Sequence, residues 1–409
     1  MTASMSFDRP ASALRLLFIV LPLAAVFSHR AFAPLTLLAL AAVDWRRPLE
    51  GAAFSSARPY WAGAALIAVT TAASALWSPR PDEAHWAWRL GLAFALATIA
   101  HGACARWFDR RPDAAARVAA AVAWSAVAMG ALLSFEALPG GMLRRLTPPV
   151  ETGPKDLVAR GRGATLLMLL VWPARQWFAA DRPRLAWLVL ALAAAPATMF
   201  TIETNAAMLA AGAAAYGLVR LRPAAARALV SLWVSLGMAL VWLTPIAAAA
   251  LPLRAVAAQS PALPDSWLQR LHIYARAGDA IREAPFGLGV GAARAMRDAE
   301  LTVEIGGQAL NTMSLHPHNL FLHVWLELGI LGAIGLTLLL LGVRARLRMA
   351  NLSTATSAGA AAVVAGLIVT ASTEWSLWQV WRLAIVFIAA IALGAVQNAS
   401  PRVAPAPRG

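Results

Sequence analysis

Three histidines lie in the stretch LHPHNLFLHVWLELGILG, residues 315–332, and histidine is the side chain whose ordinary pKa lies nearest neutral pH. Pro317 is typical of a first helical turn, so a helix is predicted to begin there, with His318 in its first turn. The positive end of a helix dipole disfavours an added proton, so His318 is expected to stay neutral and to serve as a general base. The alternative is an interfacial histidine that only anchors the helix.

The rest of this helix gives its other candidate residues. His316 is expected just outside it, and His323 is expected about 140° around it from His318. Asn319 is expected either to orient His318 or to cap the helix. The residues predicted on the stripe of His318 are Leu322, Trp325, Gly329 and Gly332. The two glycines would let another helix approach closely.

Arginines form a second set of candidates. Arg270 lies in WLQRLHIYARAGDAI, residues 267–281, which has helical periodicity. Arg270 is at the edge of the predicted apolar face, whereas Arg276 lies opposite that face and is expected to be solvated. Arg162 begins an apolar stretch, where a buried charge would need a partner; the alternative is an arginine that snorkels to the membrane surface. The predicted apolar face of 267–281 consists of Trp267, Leu271, Tyr274, Gly278 and Ile281.

Long apolar stretches carry these residues, since 60% of the chain is hydrophobic and only 13% is charged. This composition excludes a disordered chain and a soluble enzyme, and the single cysteine, Cys104, excludes an internal disulfide. The predicted fold class is all-α: a polytopic helical membrane protein, with residues 1–409 forming a single membrane domain of about twelve transmembrane helices. The predicted spans are 12–28, 31–43, 60–77, 89–106, 118–138, 162–179, 185–202, 204–219, 228–250, 318–343, 355–373 and 382–397.

The arginines also predict the orientation of the chain. There are 35 Lys and Arg against 20 Asp and Glu, for a net charge of +15, but the arginines lie mostly between apolar stretches, so no nucleic-acid partner is expected. With both termini in the cytoplasm, the short outer loops carry only Arg30, Arg80, Arg89 and Arg382, as the positive-inside rule requires. Two long segments, 139–161 and 251–317, then lie outside. The second is a predicted periplasmic insert between transmembrane helices 9 and 10.

Three segments resemble the O-antigen ligase and O-antigen polymerase superfamily. His318-Asn319, followed after nine residues by Gly329-x-x-Gly332, is similar to the family's histidine pattern, with His323 in place of the usual glutamine. Residues 270–294, RLHIYARAGDAIREAPFGLGVGAAR, resemble a second family segment through Arg270, Pro285, Gly287 and Gly289. Residues 160–173, RGRGATLLMLLVWP, resemble the opening of a middle span of the family.

The resemblance implies a metal-independent, inverting glycosyltransferase of the GT-C type in the bacterial inner membrane, with its active site facing the periplasm. The implied reaction transfers a glycan from an undecaprenyl-diphosphate carrier to an acceptor hydroxyl, with lipid A-core as the preferred acceptor. A polymerase or a protein O-glycosylating ligase stays open as an alternative, and a flippase or transporter of lipid-linked sugars is an alternative of another class. The implied partners are the glycan donor, the acceptor and membrane lipids, and no cofactor is expected.

For that reaction His318 is the expected base, and Arg162 and Arg270 are expected to hold the diphosphate. A guanidinium stays charged and donates paired hydrogen bonds to phosphate, so without a metal it can stabilise the leaving group. Further predicted substrate-binding residues are Arg160, Arg276, Arg294, Asn319 and His316. Three acidic residues are expected to orient arginines or cap helices rather than to catalyse: Glu136, Glu203 and Glu374.

Overall fold

The structure is a computed structural model that describes residues 8–43, 58–138, 143, 154–200, 203–299, 301–350 and 352–399. Of the predicted outer segment 139–161, residues 139–142 and 144–153 lie outside these ranges, and so does the side chain of Glu203. The described ranges are almost entirely helical, with one short β-hairpin. The prediction of an all-α protein is confirmed.

Fifteen α-helices and two strands occur in the described ranges. In chain order they are α1 (Arg9–Phe27), α2 (Phe32–Ala41), α3 (Arg58–Ala73), α4 (Pro81–Arg110), α5 (Pro112–Glu136), α6 (Pro154–Asp181), α7 (Pro183–Met199), α8 (Glu203–Leu221), α9 (Ala226–Ala250), α10 (Leu253–Gln259), α11 (Asp265–Glu283), α12 (Ala292–Asp298), β1 (Thr302–Ile305), β2 (Gln308–Asn311), α13 (Leu320–Met349), α14 (Thr354–Thr373) and α15 (Val380–Ala399).

Each of the twelve predicted spans coincides with one of the helices α1–α9 and α13–α15. Within the described chain, eight helices are long and apolar enough to cross a bilayer: α1, α3, α4, α5, α9, α13, α14 and α15. The other four are shorter, as α2 and α7 are, or carry more polar residues, as α6 and α8 do. The chain is a multi-pass membrane protein.

Proline and arginine together mark several helix boundaries. Helices α4, α5 and α7 each begin with proline, and the preceding residues with non-helical backbone angles are Arg80, Arg111 and Arg182. Proline is favoured at a first helical position because its φ already suits a helix and its missing N–H leaves no donor unsatisfied. The turns from α4 to α5 and from α6 to α7 are therefore single arginine residues.

Helix α6 lies deep in the bundle and is fixed by small residues. All residues from Gly163 to Val171 are buried. A Cβ built on Gly163 would lie 2.0 Å from the carbonyl oxygen of Ala25 in α1, so only glycine allows the two backbones to lie so close. Because Arg162 directly precedes Gly163, this contact also fixes Arg162 beside the turn that follows α1.

The insert 251–317 is folded and docks on the bundle. The predicted helix 267–281 is confirmed as part of α11, which packs against α9, α10 and α13. Gly278 permits this docking, since a Cβ there would lie 2.5 Å from the carbonyl group of Ala248 in α9. Strands β1 and β2 pair in antiparallel register around Gly306 and Gly307, whose positive φ angles suit a tight hairpin turn.

Helix α13 is broken at Gly329, whose φ of 61° and ψ of −153° are not helical. The loop 284–291 of the insert supplies partners for the backbone groups around the break. Leu288 N–H donates to Leu326 O (2.8 Å), Gly289 N–H donates to Glu327 O (3.0 Å), and Ile330 N–H donates to Pro285 O (2.9 Å). A Cβ on Gly329 would lie 2.1 Å from the carbonyl carbon of Phe286.

The break corrects one prediction. The prediction that His318 and Gly332 share one continuous stripe of a helix is wrong, because the helix is broken at Gly329. Gly329 faces the loop of the insert and not another helix, so its missing side chain accommodates a loop backbone. This contact ties the insert to the helix that follows the histidines.

Candidate active site

The start of α13 differs from the prediction. The helix begins at Leu320, so neither Pro317 nor His318 lies in its first turn. Asn319 is the cap: its Oδ1 accepts from Leu322 N–H at 3.1 Å, and its Nδ2 donates to Ser372 O of α14 at 3.0 Å. The prediction of a first-turn His318 is wrong because the asparagine, and not the proline, sets the start of the helix.

His318 lies just before the cap, in a left-handed backbone conformation with φ of 55°. This conformation is uncommon for a residue other than glycine and marks a constrained position. His318 N–H donates to His316 Nδ1 at 3.2 Å, and the two rings lie 4.3 Å apart between centroids. Nδ1 of His318 is buried and has no hydrogen-bond partner within the described chain.

The neutral state of His318 has another cause than the predicted helix dipole. Burial is the main cause, and together with the charges of Arg270 and Arg382 and a smaller contribution from His323 it lowers the pKa of His318 to about 3. Burial also holds the pKa of His316 well below its ordinary value, with the neighbouring histidines and the charges of Arg382 and Arg162 acting in the same direction. Both imidazoles are therefore neutral at pH 7.

Glu374, directly after α14, joins two arginines. Its Oε1 accepts from Arg270 Nη2 of α11 at 2.6 Å, and its Oε2 lies 3.5 Å from Arg382 Nη2 of α15. Arg270 also stacks on Trp267 and Arg382 on Trp381, with guanidinium-to-ring distances of 4.9 and 4.5 Å. The insert and the last two helices thus meet at one carboxylate.

Tyr274 and Ser372 complete the contact between the insert and α14. The hydroxyl of Tyr274 donates to Ser372 O at 3.4 Å, the same carbonyl that accepts from Asn319. Burial raises the pKa of Tyr274 to about 12, so its hydroxyl stays protonated and acts as a donor. One backbone carbonyl therefore holds α11 and the cap of α13 together.

Arg162 lies near Gln379, whose amide nitrogen is 3.4 Å from Nε2 of His316. It lines a cavity of about 320 Å³ whose other lining residues are His29, Arg30, Ala33, Gln379, Val380 and Trp381. Within the described residues no carboxylate lies at ion-pair distance from Arg162. Its positive charge acts on His316 and on Arg382, so it belongs to the same electrostatic neighbourhood as the histidine pair.

His323, at the position of the family's glutamine, lies beneath the pair and is 1% exposed. Its Nδ1 accepts from Leu377 N–H at 3.0 Å, and its Nε2 lies 3.2 Å from Glu327 Oε1. The other carboxylate oxygen of Glu327 accepts from the indole N–H of Trp378. His323 and Glu327 thus fix the segment 374–379, which carries Glu374 and Gln379.

We call the following residues the histidine–arginine cluster: Arg162, Arg270, His316, His318, Glu374, Gln379 and Arg382. It contains three cations, one carboxylate and two neutral imidazoles, so its net charge is positive. Such a site favours an anion with several oxygens and provides an unbonded imidazole nitrogen beside it. This is the chemistry needed to move a hydroxyl proton while an anionic group departs.

Residues 188–337 match the family model described as O-antigen ligase. The match runs from α7 into α13 and includes Arg270, His316 and His318, so the resemblance to the O-antigen ligase superfamily is confirmed. It covers somewhat more than a third of the chain. No curated protein matches the chain. The family supports a membrane glycosyltransferase of the O-antigen ligase and polymerase type.

The two arginines predicted to hold the diphosphate, Arg162 and Arg270, each affect a different histidine of the pair. The positive charge of Arg270 contributes to the lowered pKa of His318, and that of Arg162 contributes to the lowered pKa of His316. The other three arginines predicted to bind substrate are Arg160, Arg276 and Arg294. Arg160 pairs with Glu136 at 3.4 Å, and Arg294 is exposed on α12. Arg276 is half-buried, with a buried Nε that has no partner in the described chain, so the prediction of a solvated Arg276 is wrong.

Two residues of the histidine–arginine cluster, Gln379 and Arg382, were not predicted from the sequence. Arg382 was expected to be a topology arginine of a short outer loop, but it is 4% exposed and lies in the first turn of α15. The available signal was the dense run EWSLWQVWR, residues 374–382, where a carboxylate, an amide and an arginine lie within one loop and one turn. The expectation that Glu136 and Glu374 orient arginines is confirmed.

Proposed function

We propose that the protein transfers a glycan from an undecaprenyl-diphosphate carrier to an acceptor hydroxyl at the periplasmic face of the bacterial inner membrane. The observation that carries this proposal is His318, whose buried Nδ1 has no partner in the described chain while two arginine charges act on its ring. An imidazole nitrogen without a hydrogen-bond partner, beside fixed positive charge, serves a hydroxyl nucleophile and an anionic leaving group at once.

In the proposed reaction the acceptor oxygen forms a bond to the anomeric carbon of the donor glycan. The bond from that carbon to the diphosphate oxygen breaks, and its electron pair leaves with the diphosphate. Nδ1 of His318 takes the proton of the acceptor hydroxyl. Arg162, Arg270 and Arg382 stabilise the charge that develops on the leaving oxygen. A single displacement of this kind inverts the anomeric configuration.

No metal or cofactor has a step in this proposal. Within the described residues no group of three His, Cys, Asp or Glu side chains is arranged to hold a metal ion. The histidine–arginine cluster is also net positive, which favours a phosphate over a divalent cation. Metal independence therefore stays a prediction, to be tested with a chelator.

Lipid A-core is the acceptor that we propose first, because the matched family is described as O-antigen ligase. A second carrier-linked repeat would make the protein a polymerase, and a serine or threonine hydroxyl would make it a protein-glycosylating ligase. All three acceptors present a hydroxyl to the same base. They differ only in what must fit beside His318.

A transporter or flippase of lipid-linked sugars is the candidate from another class. Transporters commonly place their binding residues near the middle of broken membrane helices. Here the candidate residues lie at helix ends: His316 and His318 precede α13, Glu374 follows α14, and Arg382 lies in the first turn of α15. That position suits chemistry on a lipid headgroup better than passage through the bilayer.

The deciding experiment uses purified full-length protein in nanodiscs, one carrier-linked glycan and each acceptor in turn. Mass spectrometry identifies the product, and NMR of the product gives its anomeric configuration. We expect a new glycosidic bond of inverted configuration with one acceptor, and loss of product in His318→Ala. Movement of the intact donor across a bilayer, with no new bond to any acceptor, would establish the transporter instead.

A further inference from the structure

Gln379 is held in one orientation by Arg382. The guanidinium Nε–H of Arg382 donates to Gln379 Oε1 at 2.6 Å, so the amide oxygen faces the arginine. The amide nitrogen, which only donates hydrogen bonds, therefore faces the other way. There it lies 3.4 Å from Nε2 of His316.

His316 is held in one tautomer by its neighbour. Its Nδ1 accepts the backbone N–H of His318, so Nδ1 carries no proton. Because the pKa of His316 lies well below its ordinary value, the ring is neutral at pH 7, and its single proton is on Nε2. Nε2 is therefore a donor, and His316 is not available as a base.

Two N–H donors thus face each other without an acceptor between them. The amide N–H of Gln379 and the Nε2–H of His316 cannot satisfy one another, since a hydrogen bond needs a lone pair on one side. His316 is 9% exposed, so its donor is not simply left to bulk water. An oxygen within reach of both nitrogens would accept both protons.

The surroundings identify the chemistry of that oxygen. Gln379 lines the cavity that also contains Arg162 and Arg30, and none of the described residues that line it is a carboxylate. The charge of Arg162 acts on His316 itself. Two neutral donors with a nearby guanidinium favour an oxyanion over a sugar hydroxyl or a carbonyl.

We propose that His316 and Gln379 form a clamp for one non-bridging oxygen of a diphosphate, with Arg162 supplying the countercharge from the cavity that Gln379 lines. This inference rests on the proposed function, and it separates the roles of two adjacent histidines. His316 donates to the leaving group, whereas His318 accepts the proton of the acceptor. Arg382 acts on the clamp indirectly, as the positioning residue that orients Gln379.

The test measures binding, so that it is independent of transfer. Purified full-length protein in phosphatidylcholine nanodiscs is titrated with undecaprenyl diphosphate, undecaprenyl monophosphate or phosphatidylglycerol, and inorganic pyrophosphate serves as a competitor. The informative variant is Gln379→Glu, since a carboxylate still accepts from Arg382 but cannot donate to phosphate. His316→Ala removes the second donor, and His272→Gln, on α11 outside the cluster, is the matched control.

We expect Gln379→Glu and His316→Ala each to weaken undecaprenyl diphosphate binding roughly tenfold to a hundredfold, because each loses a hydrogen bond to a charged oxygen. Pyrophosphate should compete in the unchanged protein, and His272→Gln should bind normally. Thermal unfolding of each variant confirms that it is folded.

Unchanged affinity in a folded Gln379→Glu protein would overturn the clamp and leave water as the acceptor there. Equal affinity for phosphatidylglycerol, with the same dependence on both residues, would also overturn it in favour of a general lipid-phosphate pocket. Binding that depends on both residues, without transfer to any acceptor, would instead support the clamp and count against the proposed function.

Discussion

We predict that acidification lowers kcat, measured at saturating donor, at a higher pH than it lowers kcat/KM for the donor. In the free protein the pKa of His318 is about 3, because of burial first and of Arg270 and Arg382 next. A base of such low pKa is neutral at pH 7 but weak. A bound diphosphate offsets the arginine charges, so the pKa of His318 rises and the base becomes stronger.

The size of this rise follows from Coulomb's law. One phosphate charge roughly 8 Å from the imidazole, at an effective dielectric constant of about 20, contributes about 2 kcal/mol, or about 1.5 pKa units. Two such charges raise the pKa by about 3 units, but burial, the largest cause of the low value, remains. The pKa in the donor complex is therefore expected to stay below the ordinary value of 6.5.

The sign of the pH dependence follows from the role of His318. A general base is active when deprotonated, so the rate falls as the pH falls through its pKa. We expect an acid limb of kcat between about pH 4.5 and 6, and no limb of kcat/KM from His318 above about pH 4.

The assay measures transfer in nanodiscs from pH 4 to 8, at saturating and at low donor concentrations. Enzyme returned from each pH to pH 7 must recover full activity, which excludes acid unfolding as the cause. An acid limb of kcat/KM near pH 6.5 that moves to lower pH at saturating donor would have the opposite sign and would refute the electrostatic argument.

Four further predictions follow from the cluster and the fold. Arg162→Ala and Arg270→Ala should each lower transfer by about a hundredfold or more, with little rescue by lysine, because the paired guanidinium hydrogen bonds are lost; near-normal activity would remove that arginine from the mechanism. His318→Ala should lower kcat by roughly a hundredfold to ten-thousandfold at saturating donor, and chelator should not change wild-type activity; full activity in the variant, or loss that magnesium reverses, would contradict this. A cysteine at exposed Gln308 should react with an impermeant maleimide in intact cells while buried Cys104 does not, and reaction only after lysis would reverse the topology. Gly329→Ala should destabilise the protein by at least 1–3 kcal/mol in thermal unfolding, roughly the cost of a strained backbone, whereas Gly217→Ala, with open space around it, should not.

The membrane helices were predictable because their signal is local. Length and apolar composition define each span, and each of the twelve predicted spans coincides with a helix. The helix of the insert was also predictable from its periodicity. Its buried face, however, includes Ile273 and Ala277 and not Trp267 or Leu271. Local pattern identifies a helix but leaves its rotation to the partners against which it packs.

The start of α13 shows why the details of the site were not predictable. Pro317 and Asn319 are both start signals for a helix, and they lie two positions apart. In the structure Asn319 is the cap, and its side chain also donates to the carbonyl of Ser372, a residue of α14. No local pattern contains that hydrogen bond.

The inward position of Arg382 was likewise not predictable from the local sequence. An arginine at the end of an apolar span indicates topology by its position in the sequence. The sequence pattern is the same whether its side chain extends to the membrane surface or points into the bundle. Its inward position follows from two residues that precede it in the loop: Gln379, which accepts from its guanidinium, and Glu374, whose carboxylate forms an ion pair with it at 3.5 Å. The composition of the loop contained this information, but the direction of the side chain depends on the bundle.

The broken helix explains how a site assembled from distant segments can keep its geometry. Arg270 reaches Glu374 only if α11 stays docked, and α11 leads directly into the loop that fills the break at Gly329. The same break follows Glu327, whose carboxylate contacts His323 and the loop of Glu374 from below. A change at Gly287 or Gly329 would therefore move both partners of the Arg270–Glu374 pair. The two glycine-containing motifs, which are separate in the sequence, thus meet at one backbone contact that links α11 to α13.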